Sequence, residues 1–184
     1  MIRDSSKSFG LVSILFHWIS AIATLALFGL GFYLTSYGYY SPNFLEIAHF
    51  HYALGILLFG VVTARIVWRL TSKTPAPLTT SLLSRISIKL IKFLLYVLLV
   101  VIMISGYLIC TSEGQTINVF NLFEVKSYML LDTEQLNKAG QTHKYLSWVL
   151  IGLVVVHVLA ALFHHFFVKD RTLVRMINPT AKSE

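Results

Sequence analysis

Cysteine, proline and charge are all scarce in this sequence, and each scarcity removes a class of protein. Cys110 is the only cysteine, so no disulfide can close within the chain. A lone Cys inside an apolar run reads as a small core residue. The four prolines (Pro42, Pro75, Pro77, Pro179) all lie outside the long apolar stretches, which leaves those stretches free to be unbroken helices. Charged residues make up only 12% of the chain against 56% hydrophobic, far below the roughly one quarter of a soluble domain. With a mean hydropathy of +0.72, a water-soluble globule is excluded.

What is present is hydrophobic length. A membrane helix takes about 20 apolar residues, and 184 residues hold four of them with links. The pattern predicts spans at 9–36, 47–70, 86–110 and 141–167. They form one all-α, four-helix integral membrane bundle over residues 1–184, with no second domain. Ser41-Pro42 reads as the cap and first turn of the second helix. The run from Leu11 to Leu34 has the length of a span, and no small-x-small site follows a short apolar core, so no cleavable signal peptide is expected.

The net charge of +7 does not point to nucleic acid, because the basic residues gather at helix ends. Arg3 and Lys7 precede the first span. Arg65, Arg69, Lys73, Arg85, Lys89 and Lys92 surround the link between the second and third. Lys169, Arg171, Arg175 and Lys182 follow the fourth. The positive-inside rule then puts both termini and the middle link in the cytoplasm. The 111–140 loop falls on the outer side, with its apolar stretch at Asn118-Val-Phe-Asn-Leu-Phe lying at the membrane surface. Trp18 and Trp148 read as interfacial belt residues.

Seven histidines stand out in such a chain, since an ionisable group inside a span is costly and marks a site by default. His143 and His157 share the fourth span. Fourteen residues separate them, about 21 Å along a helix axis and about 40° from the same direction. His143 lies level with His51 on the second span, and His157 level with His17 on the first. Two cross-helix pairs follow, His51/His143 toward the outer face and His17/His157 toward the inner. Facing imidazoles on a bundle are the axial donor set of a haem iron. With no Cys-x-x-Cys-His for covalent attachment, the haem is of the b type, two per chain.

His49 competes with His51, but the two point about 200° apart on a helix. The His51 stripe runs on through Gly55, Leu58, Val62, Arg65 and Arg69, and intramembrane arginines face the bundle. His51 is therefore the ligand, Gly55 leaves space for a macrocycle, and Arg65 is assigned to a haem propionate. His49 reads as a surface residue near the interface. The His17 stripe (Gly10, Ser13, Ser20, Ala21, Thr24, Phe28, Gly31) is small enough for close packing or for a cofactor. His164, seven residues beyond His157, continues that stripe and suits a propionate or a quinone carbonyl.

These residues carry a resemblance. Phe16-His17-Trp18, His51-x3-Gly55 with Arg65-x3-Arg69, His143 with His157, and His164-His165-x3-Lys169-Asp170 together resemble the bacterial cytochrome b561 family over nearly the whole chain. The helix-four spacing is the most specific part. The resemblance implies a di-haem cytochrome of the bacterial inner membrane, with His17/His157 and His51/His143 as haem-iron ligands and His164 at a quinone site. It also implies oxidation of superoxide at the periplasmic face and reduction of ubiquinone. Lys89, Lys92 and Tyr96 depart from it, standing where related members look like His-x-x-His before Leu-Tyr. The alternative is a haem-bearing membrane anchor that passes electrons between the quinone pool and a partner redox subunit.

Overall fold

A computed structural model describes residues 1–6, 8–38, 40–78 and 81–179. Four long helices account for most of it: α1 (Leu11–Tyr37), α2 (Phe44–Thr71), α3 (Leu82–Cys110) and α4 (Thr133–Phe163). All four are long and apolar enough to cross a membrane. Ile22, Leu70, Leu83, Phe93 and Val149 are among the many large apolar side chains on the outside. Such a surface suits lipid rather than water, and the chain is a multi-pass membrane protein of four-helix class. Of the basic residues expected to orient it, Lys7 and Lys182 lie outside the described residues.

The helix ends refine the expected boundaries. α4 starts at Thr133, eight residues before the apolar run. Asp132 accepts the Gln135 N–H at 2.8 Å, and Gln135 accepts the Asp132 N–H at 3.1 Å, a reciprocal cap that starts the helix in polar sequence. Ser41-Pro42 is not the start of α2, as expected above. It sits in a turn closed by Phe44 N–H to the Ser41 carbonyl at 3.0 Å, and the helix begins at Phe44.

The chain divides into two compact units. The terminal unit comprises Met1–Ser20, Val61–Tyr96 and Gly152–Glu184, and the loop unit Ala21–Gly60 and Val97–Ile151. In the terminal unit the N-terminal segment folds back on α1. Asp4 accepts the Gly10 N–H and the Ser13 hydroxyl at 2.6 and 2.7 Å, placing a carboxylate at the positive end of the helix. A Cβ on Gly10 would collide with the Ile2 carbonyl, so the fold-back needs glycine there. Past α4, a π-helical turn (His164–Val168) ends at Lys169 in the left-handed conformation, φ 58°.

In the loop unit the 111–140 segment, expected as a loop, holds a hairpin. Strands β1 (Ile117–Val119) and β2 (Phe123–Val125) pair antiparallel, with positive φ at Phe120 and Asn121 making the tight turn. Ile117 and Val119 are buried against Ala53 on α2, with Tyr107 and Cys110 of α3 alongside.

Candidate functional site

The histidines divide between the units in pairs. In the loop unit the His51 and His143 rings face each other at 6.2 Å between centroids and 68° between planes. In the terminal unit His17 and His157 stand at 6.3 Å and 65°. Two metal–imidazole bonds of about 2 Å each, plus two ring radii of about 1 Å, span about 6 Å. Both gaps therefore suit one metal ion held between two ring nitrogens.

The loop-unit pair opens on a cavity of about 360 Å³, within the range of cofactor sites. Its lining includes Gly31, Gly55, Gly106, Trp148 and Cys110. Gly55 has nothing within 4 Å of where a Cβ would stand, so the space expected there is present. A Cβ at Gly106 would come within 2.9 Å of His143 Cε1, and one at Gly31 within 3.3 Å of His51 Cε1. Glycine inside a helix costs about 1 kcal/mol relative to alanine. Here it clears room for the two rings.

His143 Nδ1 donates to the Ile102 carbonyl at 2.9 Å, with Ser105 Oγ at 3.2 Å. A carbonyl only accepts, so the hydrogen is on Nδ1 and the Nε2 lone pair is free for a metal. His51 Nδ1 is buried with no partner in hydrogen-bonding geometry among the described residues, and the Leu27 backbone lies close to the ring. A buried donor left in this way marks a ring set by something other than its hydrogen bonds. His49, by contrast, is exposed. Trp148 packs edge-on against Phe28 at 5.1 Å and walls the cavity, beyond the belt role read from sequence.

The terminal-unit pair has different neighbours. Arg65 Nη2 donates to His17 Nδ1 at 2.9 Å, and its guanidinium lies over the Tyr96 ring at 5.3 Å. Arg65, chosen above by its alignment with His51, thus stands beside His17. Lys92 also lies within electrostatic reach of His17 and His157. Arg69 pairs with Asp4 at 2.7 Å, the carboxylate being fully buried. Sequence reasoning had no signal for Asp4, which lies far from α2 along the chain.

His164 Nδ1 meets Asp170 Oδ2 at 2.6 Å, and Asp170 Oδ1 accepts the Thr172 N–H at 2.8 Å. Burial pushes the Asp170 carboxyl up, but hydrogen bonds from Thr172 and His164 outweigh it and hold the group below the ordinary carboxylate range. His165 packs on Phe166 at 4.9 Å, away from this pair. Trp18 Nε1 donates to the Met176 carbonyl at 2.8 Å and ties α1 to the segment after α4.

Four membrane helices carrying two facing histidine pairs define a class: membrane proteins built to hold metal cofactors between imidazoles. The chain belongs to the prokaryotic cytochrome b561 family, which it matches over residues 8–179. Cytochrome b561 homolog 2 of Escherichia coli (strain K12) is 36% identical over 179 residues, covering 97% of this chain and 95% of that protein. Membership makes the chain a haem-dependent carrier of electrons across a membrane.

Proposed function

We propose that this chain is a single di-haem domain of the bacterial inner membrane, with both termini cytoplasmic, that oxidises superoxide at the outer face and reduces ubiquinone at the inner. The observation that carries this reading is the pair of histidine gaps, 6.2 and 6.3 Å between rings, one in each unit. A b-type haem bound in each gap supplies one-electron transfer at its iron. His51 and His143 would hold one haem, His17 and His157 the other. Two superoxide ions leave as two molecules of oxygen, and their two electrons with two protons turn one quinone into quinol.

The residues around each pair have definite tasks. Ile102 and Ser105 hold His143 in the tautomer that leaves Nε2 free. An imidazole that gives Nε2 to a metal keeps its hydrogen on Nδ1 and can no longer accept. Arg65 then needs another acceptor beside His17, and a haem propionate is the one the cofactor brings. His164, oriented by Asp170, would present Nε2 to a quinone carbonyl.

One observation favours the second reading, an anchor for a partner redox subunit. Lys138, near the start of α4, is paired with Glu134 at 2.6 Å, which offsets its charge in any field that would gather an anion. The test is a purified chain with two haems by pyridine haemochrome, assayed with superoxide and a ubiquinone analogue. Quinone-dependent superoxide consumption, slowed in His164→Ala with both haems retained, is the expected result. Activity appearing only with a copurified subunit would favour the anchor. Unchanged quinone kinetics in His164→Ala would remove that residue from the site.

A further inference from the structure

The charges around the two histidine pairs differ. In the terminal unit the Arg65 guanidinium touches the His17 ring, and Lys92, itself exposed, lies within electrostatic reach of both rings. The neighbouring charges on the other elements are Arg69, paired with Asp4, and Arg175, which lies near Asp170. Among the described residues neither Arg65 nor Lys92 pairs with a carboxylate. In the loop unit the groups bearing on the rings are the Leu27 and Ile102 carbonyls and the Ser105 hydroxyl, and among the described residues the one cation in the cavity wall, Lys144, is exposed.

Reduction of a bound iron adds one negative charge. A fixed cation nearby favours that state, and more so away from bulk water. A ring N–H given to a carbonyl makes the imidazole a stronger donor and favours the oxidised metal instead. A guanidinium stays protonated under all ordinary conditions, so the Arg65 charge is permanent. Propionates brought by the cofactor would pair with these cations and cease to oppose reduction. Burial in apolar surroundings acts on both sites and leaves the difference standing.

We infer that Arg65, assisted by Lys92, makes the His17/His157 site the more easily reduced of the two. This rests on the reading that each pair holds a haem. Each equivalent is one electron, so the His51/His143 site is oxidised as the His17/His157 site is reduced, and transfer runs downhill toward the terminal unit. Arg65 thereby favours the electron's residence at the His17/His157 site and is not only a propionate clamp.

The experiment is an optical redox titration of the holoprotein in detergent, with haem content measured for every variant. His143→Ala assigns the two components, since it leaves only the His17/His157 haem, and the remaining component should be the one of higher midpoint. Arg65→Gln should disfavour reduction of that component at least tenfold, about 59 mV for one electron, with the other component unmoved. Lys92→Gln should move the same component in the same direction by less, and it decides the question if Arg65→Gln fails to hold its haem. A remaining component of lower midpoint in His143→Ala would overturn the inference, as would equal shifts of both components. Haem content below two per chain in the parent protein would instead sink the underlying reading, whatever the potentials.

Discussion

His143 has its second ring nitrogen tied to a backbone carbonyl and a serine, while the same atom of His17 faces a guanidinium. The gaps between rings are nearly equal in the two units, so the donor geometry is repeated while its surroundings are not. The loop unit encloses its pair in an apolar cavity cleared by helical glycines. The terminal unit sets its pair beside cations, one of them countered by a buried aspartate. On the proposed reading, equal ligands in unequal fields would give two sites of one chemistry and different ease of reduction.

The largest way to break this comparison is to remove one pair. His143→Ala should halve the haem content by pyridine haemochrome and leave the terminal-unit haem in place, with His17→Ala doing the converse. Full retention in either variant would end the pairing. Gly106→Val should come next, because even its Cβ would stand 2.9 Å from His143 Cε1. Most of the loop-unit haem should be lost, and the stability its binding adds should go with it; a normal spectrum would show that the ring can yield. Asp4→Asn leaves the Arg69 charge without its partner and should cost about 3 kcal/mol. Thermal unfolding in detergent would measure it, and a loss below about 1 kcal/mol would put this pair with weak surface bridges.

A smaller effect is pH-dependent. The Asp170 carboxyl sits below its ordinary value in the folded chain. Its contribution is therefore fully present above the unfolded value of about 4 and is lost as pH falls through the lower folded one. Hydrogen exchange of residues 164–176 should rise on acidification below about pH 4 in the parent, whereas Asp170→Asn should already be raised and show no such step. The least effect is expected of Lys169→Gly. It relieves a left-handed φ of 58° and should stabilise this end by roughly 0.5–1 kcal/mol.

The spans and the histidine pairs were legible because hydropathy and the helical period act within one element. His51 could be preferred to His49 for that reason. Features made by contact between elements were not legible. Gly31 and Gly106 look like ordinary helical glycines until the histidine opposite is known. The hairpin strands are three residues each, too short for alternation to register. Asp4 and Arg69 meet across 65 positions of sequence. α4 begins in polar residues because its cap, rather than its apolarity, starts it. Arg65 shares a helix face with His51 yet hydrogen-bonds to His17, since a stripe on one helix says nothing of which neighbouring helix it faces.

The π turn after α4 carries one residue more than the α turn it replaces. Six positions on an α-helix lie about 240° apart, so His164 and Asp170 would point away from each other if the helix simply ran on. Their 2.6 Å contact exists because the helix stops and the chain doubles back at Lys169. The dyad is thus a product of termination, and loop length governs it more than residue identity does. Deleting a single residue between 165 and 169 would spare every histidine named here and still swing Asp170 out of reach. In this corner of the molecule an indel would be a more damaging lesion than most substitutions.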